Sequence, residues 1–206
     1  MHKAILFDLG KVLVHFDFRR AYRELEPLCG IPVAEIPRRI AATGLVTRLE
    51  TGLIEPRDFV AEISAALGAQ LEYDEFRRIF SGIFGECLIP ESLLESLARR
   101  YRLVLLSNTN ALHFELLRED YAHMLRHFHR LVLSHEVRAM KPDPAIFYAA
   151  IEAAECRAEE CFYTDDIAEF VAAARKLGID AVQFESCDQL MRELKARGIV
   201  PEPSKR

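Results

Sequence analysis

Three aspartates stand at the ends of two short apolar runs, and residues of that type in that position could provide a metal-assisted nucleophile. Ala4-Ile5-Leu6-Phe7 runs into Asp8-Leu9-Gly10, and Cys161-Phe162-Tyr163-Thr164 runs into Asp165-Asp166. A short continuous apolar run suggests a parallel strand buried on both faces, and such sheets gather their chemistry where strands end. If the two strands are neighbours, the carboxylates converge on one crevice, and their repulsion must be relieved by protonation or by a cation. Oxygen-only ligands favour a hard divalent ion, magnesium (Mg2+) above all. A third run ends in Ser107-Asn108, a hydroxyl and an amide able to hold an anionic oxygen. Lys141, in the loop Ala139-Met140-Lys141-Pro142-Asp143-Pro144, is a cation able to hold both a nucleophile and a phosphoryl group. An acid nucleophile at Asp8, an oxyanion donor, a lysine and metal-binding acids can together stabilise in-line phosphoryl transfer.

The elements that must position these groups alternate along most of the chain. Ala4 to Asp8 reads as a strand, and Val12-Leu13-Val14 extends it as a hairpin or loop. Apolar residues at helical spacing then mark Phe18 to Leu28, Ala34 to Ala42, Pro56 to Leu67 and Tyr73 to Phe84, punctuated by Gly30, Gly44, Gly52 and Gly68. Helices in succession with no intervening strand predict a small bundle. After Pro90 the pattern becomes helix (Pro90 to Arg100), strand (Leu103 to Leu106), helix (from Asn110) and strand (Leu131 to Leu133), followed by a loop through Lys141. Asp143 is placed to cap a helix that opens on Pro144 and runs to Ala154. The strand before Asp165, a helix from Ile167 to Leu177, the strand Ala181 to Phe184 and the helix Asp188 to Ala196 complete the chain, with a loose tail from Pro201 to Arg206. This predicts an α/β fold, a Rossmann-like doubly wound parallel sheet with an inserted all-α cap of four helices. The core would comprise residues 1–14 and 89–206, and the helical cap residues 15–88.

Composition narrows the function classes. The chain has 206 residues and a formal net charge of −5, which argues against a nucleic-acid binder with a basic face. A phosphorylated substrate remains compatible, because a local positive pocket can sit in an acidic protein. The five cysteines are scattered, odd in number and without a CxxC pair, which fits reduced thiols and a cytoplasmic setting. The apolar run after Met1-His2-Lys3 is too short for a signal peptide or a membrane span.

The set Phe7-Asp8-Leu9-Gly10, Leu106-Ser107-Asn108, Lys141-Pro142-Asp143-Pro144 and Asp165-Asp166 resembles the haloacid dehalogenase-like (HAD) superfamily, in its branch with a helical cap after the first motif. The details Leu106-Ser107-Asn108-Thr109-Asn110 and Ser134-His135-Glu136-Val137 look most like bacterial sugar-phosphate phosphatases such as α-D-glucose-1-phosphate phosphatase. By that resemblance Asp8 attacks phosphorus and becomes an aspartyl phosphate. Magnesium would be held by Asp8, the backbone carbonyl of Gly10, and Asp165 and Asp166 directly or through water. Ser107, the Asn108 backbone and Lys141 would bind the phosphoryl oxygens of a small phosphorylated metabolite.

Two positions depart from the family pattern. Most phosphatases of the superfamily carry a second aspartate two residues after the nucleophile, where this chain has Gly10. General acid–base help is typically worth roughly 100- to 10,000-fold, so the loss matters. A leaving group that needs no acid, a substitute such as His15 or Asp17, or a protein that binds phosphorylated ligands and turns them over poorly would each accommodate it. Phe170 stands where relatives often carry Asn. A haloacid dehalogenase would also use Asp8 but has no need of the Asp165-Asp166 pair, and a phosphomutase leans harder on the acid missing at Gly10.

Each residue taken singly also has a bland reading. Asp8 could merely end a strand, Asp165-Asp166 could cap the next helix, and Lys141 could be a solvated lysine. Asn110 is as good a helix N-cap as a ligand contact. His113, His123, His127, His129 and His135 read as surface or packing residues, since no carboxylate accompanies the helical His123/His127 spacing. Phe76, Phe80 and Phe84 read as cap core. The pairs Arg38-Arg39, Arg77-Arg78 and Arg99-Arg100 read as solvated helix faces, with Arg48 or another cap arginine within possible reach of a substrate. The segment Leu45 to Gly52 is placed to face the site.

Overall fold

Ala4–Phe7 (β1) is buried along its whole length at the centre of a five-stranded parallel sheet, in a computed structural model that describes residues 1–200. The expected loose tail lies outside the described residues. Val14–Phe16 (β2) and Phe84–Cys87 (β3), at the two ends of a helical insertion, pair antiparallel with each other, apart from the main sheet, so Val14 joins a long-range pairing and not a local hairpin. Arg102–Ser107 (β4), Arg130–Leu133 (β5), Cys161–Asp165 (β6) and Asp180–Gln183 (β7) complete the main sheet in the order β5-β4-β1-β6-β7.

Between β2 and β3 lie Phe18–Cys29 (α1), Ile36–Ala42 (α2), Leu45–Glu50 (α3), Pro56–Leu67 (α4) and Tyr73–Ser81 (α5). After β3 come Glu91–Ala98 (α6), Ala111–Asp120 (α7), Ala122–Leu125 (α8), Ser134–Val137 (α9), Pro144–Ala154 (α10), Ala168–Lys176 (α11) and Cys187–Ala196 (α12). Because side chains alternate across a strand, the sheet feeds two cores. Ile5, Phe7, Leu105 and Phe162 pack with α6, α7, α8 and α12 on one face. Ala4, Leu6, Leu106 and Tyr163 pack with α10 and α11 on the other. Helices on both faces make the sheet doubly wound, as the near-continuous apolar strands predict.

The inserted helices have a core of their own, built on Leu25, Ile36, Leu49, Phe59, Ile63 and Phe76 and closed below by Leu112 of α7. They number five rather than the expected four, because α3 has only six residues between Gly44 and Gly52, too few for its one apolar pair, Leu45 and Leu49, to establish a period. The expected helix from Tyr73 to Phe84 is also shorter. It stops at Ser81, and Phe84 enters β3 opposite Phe16. Phe84 continues the spacing of Phe76 and Phe80, so periodicity alone extended the helix. A pairing with a strand some seventy residues earlier is invisible to it. Two short helices, α8 and α9, likewise fall where no helix or only loop was expected, each four residues long. Asn110 and Asp143 do cap their helices, accepting from the backbone N–H of His113 and Ala145. Arg39, Arg77, Arg78 and Arg99 form surface ion pairs, of the kind worth little individually. No helix of the described residues is long and apolar enough to cross a membrane, and all five cysteines are free thiols.

Candidate active site

The order of the strands puts the crevice where the carboxylates are. The chain leaves β1 for β4 and β5 on one side, then returns to β6 and β7 on the other, so β1 and β6 flank the point at which the winding reverses. Phe7 is in register with Thr164, which sets Asp8 beside Asp165 just beyond the strand ends. Oxygens of Asp8, Asp165 and Asp166 lie within 4.8 Å of one another, forming the one such cluster among the described residues. Lys141 joins them. Its ammonium is 2.6 Å from Asp8 Oδ1, 2.6 Å from Asp165 Oδ2 and 3.1 Å from the Leu106 carbonyl oxygen, with the side chain almost wholly buried.

A loop lysine reaches this depth because its backbone is clamped. Asn108 Oδ1 accepts from the Lys141 backbone N–H at 2.7 Å, while Asn108 Nδ2 donates to the Lys141 carbonyl oxygen at 3.0 Å. The Asn108 side chain therefore positions Lys141, a task its place beside Ser107 did not reveal. Ser134 makes a similar tie between the start of α9 and the loop after β4, its hydroxyl accepting from Thr109 N–H at 2.9 Å and donating to the Thr109 carbonyl at 2.8 Å. The Ser107 hydroxyl has no hydrogen-bond partner among the described residues and faces the adjoining cavity. Phe170, where an asparagine was the family expectation, sets its ring 5.2 Å from the Lys141 ammonium and so replaces a hydrogen bond with a cation–π contact.

Charge in the crevice is unbalanced. Burial pushes the Asp8 carboxyl up to about 7, with Lys141 pulling it down and Asp165 adding to the rise. Asp166 is also raised, by burial first and then by Asp165. Burial opposes the charge of Lys141, but Asp8 and Asp165 outweigh it and hold the ammonium above its usual range. Asp165 spends both oxygens on protein donors: Oδ2 on Lys141 and the Tyr163 hydroxyl, Oδ1 on the Ile167 N–H at 2.8 Å. By contrast, no other described residue donates a hydrogen bond to the Asp166 carboxylate or to the Gly10 carbonyl, and Lys11 and Lys141 act on Asp166 through their charge. Crowded carboxylates with open oxygens fit a hard divalent cation. Among the described residues the histidines join no group of three or more metal-ligating side chains, His123 lying 3.9 Å from the Cys87 sulfur and His127 3.0 Å from Glu91.

A cavity of about 110 Å³ opens beside the crevice between the strand ends and the inserted helices. Gly10, Phe16, Glu50, Phe84, Ser107 and His113 are among its lining. Of the expected substitutes for an acid at Gly10, neither faces it. His15 is exposed, and Asp17 caps α1 by accepting from Arg19 N–H at 2.9 Å. Arg48 turns toward Glu62, 3.5 Å away, rather than toward the cavity. The segment Leu45 to Gly52 does face it, through Glu50.

Gly52 holds that segment down. Its φ is +63°, and a Cβ there would collide with the backbone carbonyl oxygen of His135 in α9. Gly44, with φ +67° and nothing within 4 Å of a Cβ, opens the same helix without such contact. The left-handed conformation alone costs an alanine roughly 1–2 kcal/mol, which lowers the unfolding midpoint by roughly 2–8 °C in a chain of this size. Gly52→Ala is expected to lose distinctly more than Gly44→Ala in a thermal melt. Equal losses would mean that α3 does not rest on α9 at this point.

Fold and crevice together define an α/β protein with a cluster of carboxylates and a buried lysine at the topological switch point. The family model for haloacid dehalogenase-like hydrolases matches residues 2–178, and the chain belongs to that family of hydrolases. It is 28% identical to Phosphatase MT3486 of Mycobacterium tuberculosis, covering 96% of this chain and 95% of that protein. It is 26% identical to the D-ribitol-5-phosphate phosphatase of Bacteroides thetaiotaomicron, covering 94% and 97%. The HAD-family enzyme BT-2542 of Bacteroides thetaiotaomicron, solved with magnesium and inorganic phosphate, superposes with a TM-score of 0.80 at 26% identity, over 90% of this chain and 96% of that one.

Proposed function

We propose that this hydrolase is a magnesium-dependent phosphatase acting on a small phosphorylated metabolite, a sugar or sugar-alcohol phosphate, through an aspartyl phosphate on Asp8. The observation that carries the reading is the Lys141 ammonium bridging Asp8 and Asp165 at 2.6 Å each, beside an Asp166 carboxylate that takes no hydrogen bond from the side chain of any described residue. Magnesium would be held by Asp8, the Gly10 carbonyl and Asp166, with Asp165 behind them, and would supply charge neutralisation and polarisation of the phosphoryl oxygens. Lys141 favours the ionised form of Asp8 and orients it, and shares a phosphoryl oxygen with the Ser107 hydroxyl and the Asn108 backbone. Asp8 then attacks phosphorus in line with the departing ester oxygen, and water later releases phosphate from Asp8. The identity of the related phosphatases and the oxygen-rich crevice support this assignment.

Residues 15–88 act in this reading as a cap over a core of residues 1–14 and 89–206, excluding water from the cavity and choosing the leaving group. Unpaired thiols suit a reducing, cytoplasmic setting. The test is phosphate release from a panel of sugar phosphates, sugar-alcohol phosphates and p-nitrophenyl phosphate, with magnesium or with EDTA. Release is expected to fall by about 1,000-fold or more in EDTA, as befits several kcal/mol of transition-state stabilisation, and to return with magnesium. Retained phosphate binding without turnover of any ester would favour a ligand-binding protein instead, and halide release from 2-haloacids a dehalogenase.

A further inference from the structure

The place of the missing acid is not vacant. A Cβ at Gly10 would lie 2.5 Å from the Phe16 ring, and that ring is held by edge-on contacts with Phe18 at 5.4 Å and Phe84 at 6.4 Å. Any proton donor for this site must therefore come from another wall of the cavity. Two ionisable groups line it, Glu50 and His113. His113 is committed. Its Nε2 lies 3.0 Å from the Phe80 carbonyl oxygen and its Nδ1 3.2 Å from the Asn110 amide nitrogen, and burial lowers its pKa to about 4, so it stays neutral with its proton on Nε2. The Glu50 carboxyl makes no hydrogen bond or ion pair with any described residue. It is the last residue of α3, whose end rests on the core through Gly52 and His135.

Resting on the phosphatase reading, we propose that Glu50 is the general acid of this enzyme, supplied by the inserted helices in place of a carboxyl at Gly10. In the first half-reaction the Asp8 carboxylate oxygen bonds to phosphorus and the bond to the ester oxygen breaks. The leaving oxygen takes the Glu50 proton and departs as an alcohol. In the second, water attacks the aspartyl phosphate and passes its proton to the Glu50 carboxylate. Asp8 leaves as carboxylate, inorganic phosphate is released, and Glu50 is reprotonated for the next turnover. Burial alone raises Glu50 to about 7, which suits a group that must both give and take a proton near neutrality. The chemical class served is an alkyl phosphate, whose alkoxide cannot leave unprotonated.

Glu50→Gln separates this role from binding or packing when two esters are compared: glycerol phosphate, with an alcohol leaving group, and p-nitrophenyl phosphate, whose phenolate leaves without a proton. First-turnover cleavage of glycerol phosphate is expected to fall by about 100- to 10,000-fold, and that of p-nitrophenyl phosphate by less than about tenfold. The variant should also show a burst of nitrophenol followed by slow turnover, because hydrolysis of the aspartyl phosphate has lost its base. Glu50→Asp should recover part of the alkyl rate. Equal slowing of both esters, no slowing of either, or a rise in KM at unchanged kcat would overturn the assignment. Wild-type inactivity toward every phosphate ester would overturn the phosphatase reading as well, whereas an active wild type matched by Glu50→Gln would overturn this inference alone.

Discussion

Asp8→Asn is expected to reduce phosphate release by about 10,000-fold or more, the scale on which loss of a covalent nucleophile is felt. The amide has the shape of the carboxylate and can still occupy the space beside Lys141, so the effect reports chemistry rather than collapse of the crevice. Two further readouts separate nucleophile from bystander. Wild type quenched in acid during turnover should carry covalent phosphate, and the variant should carry none. In EDTA, moreover, the variant should be at least as stable as wild type at pH 8. The sign follows from burial and from Asp165, which raise the folded-state pKa of Asp8 above its ordinary value of 3.8. A carboxyl that binds its proton more tightly when folded loses stability for the protein as pH rises through that raised range. Asn carries no such penalty, so its advantage should shrink as pH falls toward 4. A variant that unfolds well below wild type at pH 8 in EDTA would show that the Asp8–Lys141 pair outweighs the repulsion.

How much of this was legible in the sequence depends on whether the information was local. The strand ends were, because a buried parallel strand must be apolar throughout and therefore announces the polar residue that stops it. That logic identifies Asp8 and Ser107, each next to a fully apolar run, and Asp165, whose run is broken only by the buried Thr164. Lys141 was legible only as a cation before Pro-Asp-Pro. Its depth is due to two hydrogen bonds exchanged with Asn108, thirty-three residues earlier, and no spacing encodes that. The division of labour between Asp165 and Asp166 was equally hidden, because adjacent identical residues differ only in which neighbours their turn presents. Tyr163, Lys141 and Ile167 reach the first and not the second. Gly10 was legible as a missing acid, but the ring of Phe16 over it and Glu50 across the cavity depend on how β2, β3 and α3 fold back on the strand ends.

Lys141→Met tests the electrostatic frame that all of these residues share. Among the described residues the ammonium is the one cation in contact with Asp8 and Asp165, and the side chain is 1% exposed. Methionine fills most of its volume without charge, leaving like charges side by side in a buried place. Breaking a buried pair by removing one partner typically costs about 3–5 kcal/mol, which in a chain of this size lowers the unfolding midpoint by roughly 6–20 °C in EDTA. Activity should fall by about 100- to 1,000-fold even with magnesium saturating, as when one preorganised donor to a developing oxyanion is lost. Magnesium should, however, stabilise the variant more than it stabilises wild type, because a divalent cation now relieves repulsion that Lys141 formerly relieved. Adding Asp165→Asn to Lys141→Met should recover part of the stability in EDTA without restoring turnover, since it removes the uncompensated charge and not the missing donor. If magnesium shifts the midpoint of wild type and variant equally, Lys141 and the metal do not act on the same carboxylates, and the shared-charge account of the crevice fails.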